Sequence, residues 1–385
     1  MANQPKKIKV LFRLRSLEMG GVQKVILDFL ENLPQDKFEI TFLVNLKQGI
    51  LVNSIPKHVR FLYLTEGRES FSENKTIKFF QLAVRNLKLR YYKKFPKTVY
   101  DKFKINDMDV EIASTYTELE DILNSPNKNS KKVGWFHTDI RFVKEELALK
   151  FIDWMKQYDV MIFGSQQTRN VIKESYGVDF PKGTVVYNVI DGDVVNQKSL
   201  EFSVERNPEI PQFISVARLQ KRKGFDMLAR VHKRILDEGF QHEIIVVGDG
   251  DFRPEVESVI EELKIQNSFK LLGTQKNPYP YIKEADYFIL PSKTESYPLI
   301  IGETLCLAKP IISTDVGGIN EMIDHDVDGM LIEPNEEGIY RAMKKFLTEE
   351  NYVNSLKAGA KDAYLKFKKE EIYAQVEEIL QTPKN

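Results

Sequence analysis

Thirteen short runs rich in branched and aromatic apolar residues punctuate this chain. Each closes on a turn signal and is followed by a stretch of helical periodicity. In the first half they read IKVLFRL, FEITFLVN, RFLYL, DVEIAST, KVGWFH, VMIFGS and GTVVYNVI; in the second, QFISVARL, HEIIVVGDG, FKLLGT, YFILPS, PIISTDV and GMLIEP. Runs that are apolar at nearly every position must be covered on both faces, as parallel strands between helices are. Thirteen strands are too many for one sheet of ordinary size. Between the two sets lies DGDVVNQKSLEFSVERNPEIPQ, polar and carrying two prolines, which reads as a linker. The expected architecture is α/β, with two doubly wound domains facing each other across a cleft. Ligands of such sheets sit at the carboxyl ends of strands, so the cleft is the natural site.

The 385 residues suffice for two ordinary domains, and 42% apolar with 29% charged residues is a globular composition. No apolar run approaches the roughly 18 residues of a membrane span. The opening MANQPKKIKVLFRLRS has no long apolar core after its basic residues, so no signal peptide is expected. A single cysteine, Cys306, allows no internal disulfide, and a reducing cytoplasm is the expected setting. No Cys/His cluster has metal-ligand spacing. The net charge is zero, but residues 1–190 hold 31 Lys+Arg against 22 Asp+Glu, and the remainder 25 against 34. Each half thus carries a charge of nine, positive then negative. Basic character confined to one half without a recognisable motif does not indicate nucleic-acid binding.

Several strand exits carry residues suited to an anionic ligand. Gly20-Gly21 opens a helix whose apolar face is Val22, Val25, Ile26 and Phe29. Glycine there lets a ligand approach the backbone at a helix N-terminus, although, taken alone, a plain strand–helix turn is the better reading. The run FISVARLQKRKGFDML places Arg218 and Lys223 after a strand and before a helix, a pair suited to a diphosphate. Two Asp-x-Asp triplets, Asp191–Asp193 and Asp249–Asp251, stand apart from each other, and Gly- and Asp-rich turns account for most of both. A site already holding Arg and Lys needs no metal for the diphosphate. Finally, TESYPLIIGETLCLAKP sets Glu295 in a loop after the strand YFILPS. Pro298 suits a first helical turn, and Glu303 falls within a helix of about 298–308. Taken alone, Glu303 is best read as the exposed stripe of an amphipathic helix.

The Glu295-x7-Glu303 pair, followed by LAKPIISTDVGGINEMI and DGMLIEP, resembles the signature of the retaining glycosyltransferases of family four. That family has the GT-B fold of two Rossmann-like domains, and its members include enzymes of bacterial cell-surface polysaccharide assembly. The likeness covers most of the second half and reaches the first through Gly20-Gly21, WFHTD and VVYNVID. It implies an acceptor-side domain over 1–192, a donor domain over 193–360, and a C-terminal helix over about 361–385 returning to the first. It also implies a nucleotide-sugar donor and no cofactor; UDP is the family's commonest nucleotide. Arg218 and Lys223 would hold the diphosphate, Glu303 the ribose, and Glu295 the transferred sugar. Tyr297, Pro298 and Leu299 would lie by the sugar and phosphates, and Gly273 and Thr274 by the base. Gly248 would join the donor-binding set; Gly20 and Gly21 would approach the phosphates, and His137 the sugar. The family commonly has glycine and an aromatic after the first glutamate. This chain has Ser296-Tyr297, which leaves donor identity open. Another GT-B enzyme, such as a sugar-nucleotide epimerase or a phosphorylase, and a non-catalytic GT-B partner subunit are the alternatives.

Residues 75–104 hold ten Lys or Arg and one acidic residue, Asp101. Ile77, Phe80, Val84, Leu87, Tyr91 and Phe95 recur at helical spacing. The ordinary expectation is a surface helix packing this seam on its own sheet. The sharper one is a basic, aromatic face on an anionic membrane, with a lipid-linked glycan as acceptor.

Overall fold

The structure, a computed structural model, describes residues 6–384; the extreme N-terminal residues of the expected leaderless start, and Asn385, lie outside them. The chain divides into two units, Met1–Val189 with Glu370–Asn385, and Ile190–Lys369.

All thirteen runs form strands. The first unit holds β1 (Ile8–Leu14), β2 (Phe38–Lys47), β3 (Arg60–Glu66), β4 (Val110–Ala113), β5 (Lys131–Phe136), β6 (Val160–Phe163) and β7 (Gly183–Val185). The second holds β8 (Gln212–Val216), β9 (Glu243–Val247), β10 (Phe269–Leu271), β11 (Tyr287–Leu290), β12 (Ile311–Thr314) and β13 (Met330–Ile332). Their orders are β3-β2-β1-β4-β5-β6-β7 and β10-β9-β8-β11-β12-β13, with every pairing parallel. Each sheet reverses its winding once, at β1/β4 and at β8/β11. At such a switch point the crossovers leave in opposite directions and open a crevice at the strands' carboxyl ends. The architecture is the expected GT-B pair of Rossmann-like units.

The central strands are apolar throughout because helices cover both faces; Val10, Leu11 and Phe12 in β1 and Phe288, Ile289 and Leu290 in β11 are fully buried. In the second unit the helix Phe225–Asp237 lays Leu228, Val231 and Ile235 on that core.

Three expectations about boundaries and packing change. The segment read as a linker belongs to the second unit: Gly192–Lys198 is a helix capped by Asp191, and Arg206 forms a two-pronged ion pair with Asp286 at 2.7 and 2.8 Å. The returning C-terminal helix is Lys369–Gln381, since residues before it stay with the second unit, where Lys366 pairs with Asp328 at 2.8 Å. On the first unit this helix is held by Lys131, whose Nζ donates to the carbonyls of Ile379 and Thr382 at 2.6 and 2.9 Å. A cation at those last carbonyls satisfies acceptors the helix leaves open.

The third change concerns the basic segment. Helix α1 (Gly21–Asn32) buries Val25, Ile26 and Phe29 as expected. Helix α2 (Lys75–Lys94) starts where the Asn74 side chain accepts from Thr76 and Ile77 N–H, and stops before Pro96. Its apolar seam does not pack on the sheet. Ile77, Phe80, Val84, Leu87, Tyr91 and Phe95, with Phe79, are 45–67% exposed. The other face turns inward, with Leu89 and Tyr92 against Leu11, Leu43, Leu64 and Tyr100. Both faces of α2 carry apolar side chains, so helical spacing alone did not say which one meets the core. Nor does the segment lack acidic partners: Glu120 pairs with Lys93 at 2.6 Å.

Candidate active site

In the second unit the switch point brings together residues 72 apart in sequence. After β8 the chain crosses the exit of β9, with Ala217 and Leu219 N–H bonding Val247 and Asp249 carbonyls at 3.1 and 3.0 Å. A Cβ at Gly248 would stand 2.0 Å from the Ala217 oxygen, and its φ is +146°. Packing therefore explains this glycine, and its effect is to seat Arg218, whose side chain is exposed. The chain then makes a 3-10 turn, Lys221–Lys223, ending on left-handed Gly224 before the helix Phe225–Asp237.

Lys223 points inward. It is 8% exposed and ion-paired through Nζ to Glu295 Oε1, itself 8% exposed. The charged ends of Arg218 and Lys223 are both expected to be open to solvent; Arg218 is exposed, but Lys223 is a buried partner of the glutamate. The Glu295 carboxylate also accepts from Ser292 Oγ at 2.7 Å, with Arg222 Nη1 3.9 Å away. Burial lowers the Lys223 pKa, the Glu295 charge opposes this, and the Arg222 and Arg218 charges add to it.

The Glu295 loop is tied down on both sides. Arg222 donates to the Thr294 carbonyl at 3.2 Å, and Lys293 N–H to the Arg222 carbonyl at 2.7 Å. From the exit of β12, Gly317 lies so close that a Cβ would stand 1.9 Å from the Glu295 oxygen, and Gly318 N–H donates to Ser296 at 2.6 Å. Only glycine fits at that approach with φ +62°. Thus the ends of β8, β11 and β12 converge on Glu295, the first two at its carboxylate and the third at its main chain.

The helix after this loop runs Leu299–Cys306, shorter than expected, with Pro298 just before it in extended conformation. Proline at that point has no N–H to leave unbonded. Tyr297 is buried, and Pro298 and Leu299 are half-buried. Glu303 is no exposed stripe: it is 7% exposed and accepts from Tyr279 OH at 2.8 Å. Burial and the Glu303 charge raise the Tyr279 pKa. Gly273 and Thr274 follow β10, with the Gly273 carbonyl accepting from Gly248 N–H at 2.9 Å. The sheet order β10-β9-β8-β11 therefore aligns Gly273, Gly248, Arg218 and Glu295 along one edge.

The Asp-x-Asp triplets are turn and cap residues. Asp249 accepts from Gly250 N–H at 2.8 Å; Asp191 caps its helix and pairs with Lys369 at 2.9 Å.

In the first unit, Gly20 and Gly21 follow β1 and His137 follows β5, at the same edge of that sheet. A Cβ on Gly21 would meet nothing within 4 Å, so packing does not require glycine there. The His137 ring stacks on Trp135 with centroids 5.4 Å apart. Burial pushes its pKa down to about 3, and Nε2 has no partner among the described residues. Burial thus favours the neutral imidazole, with Nε2 itself buried.

Ser292, Tyr279 and Arg222 are not among the site residues expected from the sequence. Ser292 had a usable signal, as the last residue of the run YFILPS. Tyr279 had none, because its partner Glu303 is 24 residues away.

The family model for glycosyl transferases group 1 matches residues 196–363. Two relatives are similar over most of their length. The N-acetylgalactosamine-N,N'-diacetylbacillosaminyl-diphospho-undecaprenol 4-alpha-N-acetylgalactosaminyltransferase of Campylobacter jejuni is 25% identical over 370 residues, 90% of this chain and 93% of its own. The UDP-Gal:alpha-D-GlcNAc-diphosphoundecaprenol alpha-1,3-galactosyltransferase of Escherichia coli is 25% identical over 358, 87% of each chain. Among solved structures, Anabaena HepE in complex with UDP and glucose superposes with a TM-score of 0.77 at 18% identity, over 97% of this chain and 100% of that one. Residues 196–363 thus match the glycosyl transferases group 1, and the protein is a glycosyltransferase with the GT-B fold.

Proposed function

We propose that the enzyme transfers a hexose or N-acetylhexosamine from a UDP-sugar, with retention at C1, to a lipid-linked glycan in surface polysaccharide assembly. The convergence of Arg218, Lys223 and Glu295 at the β8/β11 switch point carries this reading. The two long relatives named for diphospho-undecaprenol acceptors support the acceptor class, and the UDP-bound neighbour supports the nucleotide.

Transfer breaks the bond from C1 to the phosphate oxygen and forms one from C1 to an acceptor hydroxyl. Negative charge grows on the leaving diphosphate, where Arg218 and Lys223 stabilise it. Glu303 binds the ribose hydroxyls. Glu295 binds sugar hydroxyls, and the donor shares Lys223 with it. His137, held neutral, accepts or donates one hydrogen bond to the sugar. The acceptor proton passes to the leaving phosphate, so no side chain serves as nucleophile and no metal is required. An epimerase would need acid/base groups of its own, and the first unit offers few beyond His137.

No helix among the described residues is long and apolar enough to cross a membrane. Contact is instead assigned to the exposed α2 seam, whose rings and aliphatic groups enter the interface while exposed lysines such as Lys88 and Lys94 face anionic headgroups. The reaction then runs at the cytoplasmic face. Incubation with a panel of nucleotide sugars and varied acceptors, read by mass spectrometry, tests the proposal. A sugar added to a diphosphate-linked glycan is expected. Turnover of no nucleotide sugar, or epimerised donor as the sole product, would refute it.

A further inference from the structure

Three arginines meet at the carboxyl ends of β1 and β3. Arg15 follows β1, Arg68 lies in the turn after β3, and Arg85 comes from the inward face of α2. Hydrogen bonds lock the loops that carry them. Leu46 N–H donates to the Arg15 carbonyl at 2.9 Å, and Leu17 N–H to the Gln48 carbonyl at 2.8 Å. The Gln48 side chain accepts from Arg68 N–H at 3.1 Å and donates to Glu18 at 2.7 Å. Gln81 of α2 accepts from Ser72 N–H at 2.9 Å, which ties the helix to the same turn.

Charge here is incompletely balanced. Arg68 has Glu18 at 3.8 Å, a loose pair. The Arg85 guanidinium lies 5.4 Å from the centre of the Phe71 ring. Its Nε and Nη1 are buried with no hydrogen-bond partner among the described residues. Burial, then the charges of Arg68 and Arg15, lower the Arg85 pKa, and Glu69 acts against them. Three guanidinium groups thus face two carboxylates, Glu18 and Glu69, with donors left unused. Buried donors of a charged group are costly to leave unbonded. A ligand with two negative centres and several acceptor oxygens would meet both deficits, and forked guanidinium donors match phosphate oxygens. No hydrogen bond at Nε or Nη1 resists a turn of the Arg85 side chain toward it. The opposite face of α2 is the exposed apolar seam, so one helix offers cations on one side and a lipid-compatible surface on the other.

We propose that Arg15, Arg68 and Arg85 bind the diphosphate of a polyprenyl-diphosphate-linked acceptor. This rests on the acceptor class proposed above. The three arginines belong to the first unit, whereas Arg218 and Lys223 belong to the second.

Titration calorimetry with farnesyl diphosphate, in saturating UDP to fill the donor site, tests it. Inorganic pyrophosphate and farnesol serve as the headgroup-only and chain-only probes. Arg15→Gln, Arg68→Gln and Arg85→Gln are each expected to weaken farnesyl diphosphate by about tenfold or more, and Arg85→Lys by less. UDP affinity, which reports the second unit, should stay within about twofold in all of them. Because Arg15 and Arg68 are exposed, their variants decide the matter even if Arg85→Gln fails to fold. No binding of farnesyl diphosphate by the parent, or affinities in the Arg15 and Arg68 variants equal to the parent's, would overturn the site. If equal affinities accompany sugar transfer to diphosphate-linked acceptors, the enzymatic reading survives and only this site falls. If the arginines bind farnesyl diphosphate but no such acceptor is glycosylated, the site stands and the acceptor class is wrong.

Discussion

Replacing Lys223 by methionine removes one partner of a buried ion pair and leaves the other. Glu295, 8% exposed, would keep the Ser292 hydroxyl at 2.7 Å and Arg222 at 3.9 Å, but no cation in direct contact. Breaking such a pair costs about 3–5 kcal/mol. The remaining donors argue for the lower end, about 3 kcal/mol. For a domain the size of Ile190–Lys369, this is a fall of about 6–12 °C in the unfolding midpoint. Lys223→Met with Glu295→Gln removes both charges and should return most of that loss, to within about 3 °C of the parent. Scanning calorimetry on the parent, both single variants and the double variant gives the coupling directly. UDP affinity should stay low in the double variant, since the cation for the diphosphate is still missing. A shift under about 2 °C for Lys223→Met, or a double variant whose loss is the sum of the singles, would mean that the pair does not hold this loop.

Glu295→Gln should impair turnover more than UDP binding, whereas Glu303→Gln should weaken UDP by about tenfold, the loss of a charge-assisted contact; equal UDP affinity in the two variants contradicts that division. Chelation with EDTA should leave activity standing, and complete loss restored by manganese or magnesium would bring back the Asp-x-Asp triplets as metal sites. Burial lowers the pKa of His232 to about 3, with the neighbouring His242 charge adding to this, and lowers that of His242 itself. The unfolded chain therefore takes up protons that the folded one refuses. Stability from these histidines is full above pH of about 6.5 and falls below it, by up to about 1.4 kcal/mol per pH unit for each. Urea midpoints at pH 7, 6 and 5 check this, and a flat profile refutes it. The parent should float with anionic liposomes at low salt, each basic residue near the surface adding about 1 kcal/mol, and Lys88→Glu with Lys94→Glu should sink; failure of the parent to float removes the membrane from the account.

Local signals were enough for the strands and for the charged loops. The thirteen apolar runs became thirteen strands because a fully covered parallel strand has to be apolar on both faces. Arg218, Lys223 and Glu295 were recognisable as loop residues at strand exits, since turns and helix starts leave marks within a few residues. The role of Gly248 was not recognisable: its reason is the Ala217 oxygen, 31 residues upstream. Nor was the burial of Glu303, because its helix is apolar nearly all round and offers no polar face from which to judge exposure.

The order of the strands decided the rest. Sequence position cannot say that β11 lies beside β8, and that adjacency alone brings Lys223 onto Glu295. Burying the pair then required three loops to close over it, each through contacts made only once the sheet exists. The same holds for α2. Helical spacing grouped Ile77, Phe80, Val84, Leu87 and Tyr91 on one face, but the sheet packs Leu89 and Tyr92 and leaves the longer seam in solvent. A helix's period determines which side chains travel together; which group is buried depends on the surface waiting for it, and that surface is built from strands distant in the chain.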